Sequence, residues 1–181
     1  FEGAYLVKEW YEAGLIGEVK EVITWTDRPA RGWGFNGQVR TSYPPAEKIP
    51  EGMDWDLWLG PCKEDVPFSR AIHPTTWRPW WSFGCGGLGD IGCHTIDTAY
   101  WALGLGAPDR VEVDMTEKAN QIHTPNGSIV TYKFPARGKQ PAVDVKWIEG
   151  PRLPKAPKGY DWDIKGHGGF IMVGEKGGIS H

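Results

Sequence analysis

Hydrophobic and polar positions alternate with two different periods along this chain, and irregular stretches separate them. Residues 4–13 space their apolar side chains as a short amphipathic helix, closed by Gly14 where a positive φ is needed. After Gly17, Val19-Lys-Glu-Val-Ile-Thr-Trp-Thr26 has the β-branched and aromatic content of a strand. From 27 to 50, glycine and proline break every periodicity, which predicts a long loop of the functional kind. Met53-Asp-Trp-Asp-Leu-Trp-Leu59 reads as a brief turn-like element before Gly60-Pro61, and residues 62–84 as a second irregular stretch carrying Trp77, Trp80 and Trp81. Residues 89–103 predict a helix, with Asp90 in its first turn and Gly104 as its stop. The period then becomes two. Val111, Val113 and Met115 alternate with polar residues, as do Val130, Tyr132 and Phe134, and then Val143, Val145 and Trp147. Successive half-buried strands without helices between them predict an α+β fold: an open, predominantly antiparallel sheet with helices packed on one face. The apolar run Phe170-Ile-Met-Val173 reads as a last strand.

Composition changes this picture at a few points. A net charge of −3 leaves no basic footprint for nucleic acid or an anionic membrane surface. No run approaches the roughly 18 consecutive apolar residues that a membrane span needs. Cys62, Cys85 and Cys93 are odd in number and lack metal-finger spacing, so packing roles are expected for them rather than disulfides. Tryptophan is abnormally frequent, at 11 residues, which points to an aromatic-lined cleft or a surface that meets another subunit. The chain opens at Phe1 directly into a helix and stops just after an apolar run. It reads as one domain, 1–181, of a longer protein, with compartment and targeting unreadable.

The chemistry concentrates on the predicted helix 89–103. At about 100° per residue, Asp90, His94, Asp97 and Trp101 fall within roughly 60° of arc, while Ile91, Thr95, Ala99 and Ala102 lie on another side and can pack against the sheet. A carboxylate one turn before an imidazole can hold one ring nitrogen and raise the basicity of the other, the wiring of a general acid/base. The bland alternative is a helix capped by Asp90 with a structural His94, and a metal reading of Asp90, His94 and Asp97 lacks a second histidine or a fourth ligand. Gly84-Cys-Gly-Gly-Leu-Gly89 matches G-x-G-x-x-G, but the residues before it are Trp77-Arg-Pro-Trp-Trp-Ser-Phe83 rather than a buried strand, and Asp90 would face a pyrophosphate. It is rejected as a nucleotide site; its glycines are expected to permit tight turning and close approach. Arg78 is a candidate donor to a substrate oxygen, or a cation stacked on indole. Trp80 and Trp81 read equally as core or sugar platform, and Asp54 and Asp56 as caps or surface. His73, His123 and His167 read as loop histidines, with His167 able to reach the cleft if the last strand borders it.

The run Gly86-Gly-Leu-Gly-Asp-Ile-Gly-Cys-His-Thr-Ile-Asp97, followed by Trp101-Ala-Leu-Gly-Leu-Gly106, closely resembles the C-terminal-domain signature of the glucose–fructose oxidoreductase, inositol dehydrogenase and rhizopine-catabolism (Gfo/Idh/MocA) family. Glu9-Trp-Tyr-Glu-Ala-Gly-Leu-Ile-Gly-Glu-Val19, Trp25-Thr-Asp-Arg-Pro29, Asp54-Trp-Asp-Leu-Trp-Leu-Gly-Pro61 and Trp77-Arg-Pro-Trp-Trp-Ser-Phe-Gly84 extend the likeness from about residue 5 to 176. The resemblance implies a two-domain enzyme, with a Rossmann domain binding NAD or NADP ahead of a domain whose open sheet covers the active site. Asp90 and His94 match the family's catalytic Asp-x-x-x-His. His94 would take the hydroxyl proton of a sugar, sugar derivative or cyclitol as hydride leaves for nicotinamide, and Asp90 would orient it. Arg78, Trp77, Trp81 and Asp97 are the substrate-binding candidates, no metal is expected, and the cofactor-binding residues are unknown. The family's catalytic lysine stands in a Glu-Lys-Pro motif, and none of Lys8, Lys20 or Lys48 does. The partners implied are a sugar or polyol and a second copy of the chain, paired through the open sheet face. Two alternatives stay open: a non-catalytic carbohydrate-binding or oligomerisation module, and a relative that uses bound NAD transiently to cleave a glycoside.

Overall fold

The computed structural model of the chain describes residues 2–30, 33, 38–115, 119–162, 164 and 167–180. Its elements run α1 (Glu2–Glu12), β1 (Val19–Thr26), α2 (Trp55–Leu59), α3 (Gly86–Thr95), α4 (Asp97–Leu103), β2 (Arg110–Met115), β3 (Ser128–Phe134), β4 (Val143–Glu149), β5 (Gly168–Gly174) and β6 (Gly178–Ser180). The six strands form one sheet in the order β2-β3-β4-β1-β5-β6. Every pairing is antiparallel except β1 with β4, which run parallel from Glu21↔Asp144 to Thr26↔Glu149. The α+β, mostly antiparallel architecture expected from the period-two segments is the one observed. The parallel pair is the addition: β4 closes the β2-β3-β4 meander and then meets a strand more than a hundred residues earlier.

One sheet face is covered by helices. Val7 of α1 and Ala99, Ala102 and Leu103 of α4 meet Val22, Val143, Val145, Phe170 and Met172 in the main core. The opposite face is divided. Ile23, Trp25, Ile148 and Ile171 are buried there beneath Trp162 and Ile164, while the rest carries ion pairs, among them Lys146–Glu21, Lys133–Glu112 and Lys133–Asp144.

Three expectations need correction. The helix predicted over 89–103 starts three residues earlier, at Gly86, and is interrupted at Ile96, whose backbone nonetheless stays right-handed (φ −84°, ψ −36°). Five of the eleven tryptophans are buried. Trp33, Trp55 and Trp80 join Val66, Phe68 and Ile72 in a second core that organises the irregular stretches, and Trp25 and Trp147 are buried in the sheet. Trp55 anchors this core with its indole N–H on the Val66 carbonyl (2.8 Å) and its ring stacked on Trp58. Asp54 caps α2 by accepting from the Leu57 N–H at 2.8 Å, as its position suggested. Cys62 is half-buried and Cys85 and Cys93 are exposed, all as free thiols, so the interior packing expected of the cysteines is not found. No helix among the described residues is long and apolar enough to cross a membrane.

Candidate functional site

The glycine-rich turn before α3 folds around Arg78. The Gly86 N–H donates to the Arg78 carbonyl at 3.1 Å, and a Cβ on Gly84 would stand 2.2 Å from the same oxygen. Only glycine permits this approach, which is the close packing foreseen for these residues. Arg78 is thereby held over the first turns of α3. Its Nε–H donates to Asp90 Oδ2 at 2.9 Å, its Nη1–H to the Thr75 carbonyl at 2.8 Å, and its guanidinium lies 4.9 Å from the Trp77 ring centroid. Both partners of the ion pair are partly exposed. The charge-assisted bond therefore fixes orientation more than it adds stability.

His94 stands exposed in the last turn of α3, one turn beyond Asp90. Among the described residues no hydrogen bond joins the two; Asp90 is engaged by Arg78 instead. Asp97, beyond the interruption, lines a groove between α1 and α4 with Tyr5, Tyr100 and Trp101, apart from Arg78. Trp77 is half-buried at the edge of the aromatic core. Trp81 is 46% exposed and donates its indole N–H to the Asn120 carbonyl at 2.9 Å, whereas Trp80 is fully core. Arg78 thus touches Trp77 and Asp90, His94 follows one turn further along α3, and Asp97 lines the groove between α1 and α4. No three His, Cys, Asp or Glu side chains among the described residues form a metal-holding group.

A carboxylate that pattern-reading passed over lies under the same helix. Glu149, at the end of β4, is 4% exposed and accepts from Ser128 Oγ at 2.7 Å. Its other oxygen lies 2.3 Å from where a Cβ on Gly87 would stand and makes no well-aligned hydrogen bond. Burial pushes this carboxyl above its ordinary range, while Ser128, the Trp147 indole and the Leu88 N–H hold the rise in check. Two consequences follow. First, the α3 N-terminus already faces a carboxylate, so the G-x-G-x-x-G turn does not fit a pyrophosphate; the described residues offer no dinucleotide phosphate site there. Second, stability carries a signature of Glu149. The native state binds the proton more tightly than the unfolded chain, so this group's contribution is most favourable below the unfolded pKa near 4.5. It is lost as pH rises through the elevated native value. Glu149→Gln removes that ionisation, so its stability relative to the parent should increase with pH from about 4 upward. Urea unfolding across that range checks this, and a difference that stays flat or falls would contradict it.

Elsewhere, Tyr43 donates to Glu64 and pairs with Ser82, tying three loop segments together. Burial and the Glu64 bond push its hydroxyl up to about 12, so it remains a neutral donor at ordinary pH. His73 packs edge-on against Trp58 and His123 is buried against Trp80, so both serve the aromatic core.

Residues 5–166 match the Gfo/Idh/MocA oxidoreductase family, C-terminal alpha/beta domain. No curated protein sequence matches the chain. Among solved structures, the chain is similar to an oxidoreductase from Thermotoga maritima, with 15% identity and a TM-score of 0.46 over 98% of this chain and 38% of that one. It is similar to the WlbA dehydrogenase from Bordetella pertussis, solved with NADH and UDP-GlcNAcA, with 15% identity and a TM-score of 0.48 over 97% and 38%. A levoglucosan dehydrogenase, solved with NADH and levoglucosan, gives 16% identity and a TM-score of 0.49 over 97% and 36%. The chain therefore spans little more than a third of the length of these structures.

Proposed function

Because the chain belongs to the Gfo/Idh/MocA oxidoreductase family, as its C-terminal alpha/beta domain, we propose that it is the substrate-binding and catalytic part of a longer NAD- or NADP-dependent enzyme. The substrate in this reading is a hydroxyl of a sugar, sugar derivative or cyclitol. The observation that carries it is the Arg78–Asp90 ion pair, set by the glycine turn and followed one helical turn later by an exposed imidazole, His94. Arg78 and Trp77 offer a donor and a flat apolar surface to a polyhydroxylated ligand. His94 accepts the proton of the hydroxyl that is oxidised, and Asp90 fixes the local field in which it does so. A nicotinamide nucleotide, held by the rest of the enzyme, supplies the hydride acceptor. Pairing of copies belongs to the same proposal and would use the charged part of the sheet face around Lys133 and Lys146.

The test compares this chain with its full-length parent. The parent should reduce NAD or NADP in the presence of a hexose or cyclitol, whereas residues 1–181 alone should show no substrate-dependent reduction, since one wall of the site cannot position a hydride acceptor. Turnover by the isolated chain would overturn the division of labour. A parent that binds sugar without any redox turnover would favour the binding-module reading.

A further inference from the structure

The carboxylate–imidazole pair looked for at Asp90 and His94 is formed elsewhere in the molecule, by Asp27 and His167. His167 Nδ1 lies 2.6 Å from Asp27 Oδ2. The two ends of this bond are in opposite environments: the Asp27 side chain is 9% exposed and that of His167 is 76% exposed. The main chain fixes the pair as well. The His167 carbonyl accepts from the Asp27 N–H at 3.1 Å and from Thr26 Oγ1 at 2.9 Å. The next residue, Gly168, lies so close to β1 that a Cβ there would stand 2.8 Å from the Trp25 carbonyl. His167 is therefore held at its backbone and at one ring nitrogen, while the remainder of the ring faces outward.

The protonation pattern follows from the chemistry of the partner. A carboxylate only accepts, so Nδ1 carries the hydrogen, and in the neutral ring Nε2 presents its lone pair outward. Asp27 is also engaged through Oδ1 by Arg28 Nη1 at 2.9 Å, which balances its charge. The pair lies beside the first turn of α3, the helix that carries Asp90 and His94. The Arg28 carbonyl would stand 3.2 Å from a Cβ on Gly87, and Gly87 lies one helical turn before Asp90. An outward acceptor with a fixed tautomer, beside a guanidinium and at the same end of α3 as Arg78, is suited to a neutral hydroxylated ligand.

We propose that the Asp27–His167 pair is a second hydroxyl-binding point of the site, in which His167 Nε2 accepts a hydrogen bond from a ligand hydroxyl other than the one that His94 deprotonates. The inference rests on the sugar or cyclitol reading above. Its rival is a surface staple in which the pair only ties the start of β5 to the end of β1.

The experiment follows acylation of His167 in the full-length protein by diethylpyrocarbonate, read by peptide mass spectrometry, with and without D-glucose or myo-inositol. At least one of these should slow acylation of His167 several-fold, and His167→Gln should weaken binding of that same compound about tenfold, as loss of one hydrogen bond does. Acylation indifferent to both compounds overturns the proposal and leaves the staple, as does His167→Gln binding unchanged. The two readings fail separately. A parent that oxidises a sugar and loses that activity in His94→Ala, yet shows no protection of His167, defeats this inference alone. Protection without any NAD or NADP reduction defeats the dehydrogenase reading and leaves the hydroxyl-binding point standing.

Discussion

In the full-length enzyme, His94→Ala should lower kcat by about two to four orders of magnitude, the usual contribution of a positioned acid/base, while substrate binding changes little. The expectation comes from where the ring stands. His94 is at the exposed end of α3, outside all three hydrophobic clusters, so truncating it leaves no cavity and should not disturb folding. The same exposure makes its loss chemical rather than structural, and circular dichroism of the variant should match that of the parent. Asp90 is expected to behave differently, because its carboxylate is held by Arg78. Asp90→Asn keeps the shape but weakens a charge-assisted bond, so it should raise KM as well as lower kcat. Steady-state kinetics on both variants separate the roles. A His94→Ala enzyme with unchanged kcat would remove the proton-transfer assignment and return His94 to a surface residue.

Several parts of this site were legible in the sequence for physical reasons. Period two over 111–115, 130–134 and 143–147 foretold three strands, and all three are present; β3 and β4 bury one face as expected, whereas Val111 and Val113 on the edge strand β2 are 50% and 61% exposed, so its alternation does not mark a buried face. The four-residue spacing of Asp90 and His94 survives because both lie within α3, before the interruption at Ile96. Asp97 follows on α4, where it lines the groove between α1 and α4 with Tyr5 and Trp101, a neighbourhood that helical periodicity alone does not reveal. Arg78 was identified as a residue type, but its ion pair was not, since it depends on a turn in which Gly84 and Gly86 close on the Arg78 carbonyl. Glu149 did have a signal: it continues the Val143, Val145, Trp147 parity onto the buried face, which places a carboxylate where apolar residues belong. Asp27 and His167 had none, because β1 and β5 pair across about 140 residues and their register is decided by the whole sheet.

Trp147→Ala should cost about 3–5 kcal/mol, the range for truncating a large buried aromatic residue, and so consume a large part of the 5–15 kcal/mol typical of a domain. Trp147 is fully buried on β4, opposite Thr24 on one side and Val130 on the other. It occupies the helix-covered face of the sheet with Val143 and Val145 before it and Glu149 after it. Removing the indole does two things at once. It opens a cavity too deep for water to fill favourably, and it takes away an indole N–H that has no well-aligned acceptor but holds down the rise of the buried Glu149 carboxyl. The second effect ties stability to the site, since Glu149 lies against Gly87 in the first turn of α3, the helix that carries Asp90 and His94. Trp147→Phe keeps most of the volume without the N–H, so it should cost less than the alanine variant while retaining much of the Glu149 effect. Urea unfolding of both variants near pH 5 and pH 8 resolves the two contributions. The cavity cost is independent of pH, whereas the Glu149 contribution grows as the carboxyl ionises. A Trp147→Ala cost below about 1 kcal/mol, the size of an ordinary substitution, would mean that α3 does not depend on this strand for its position.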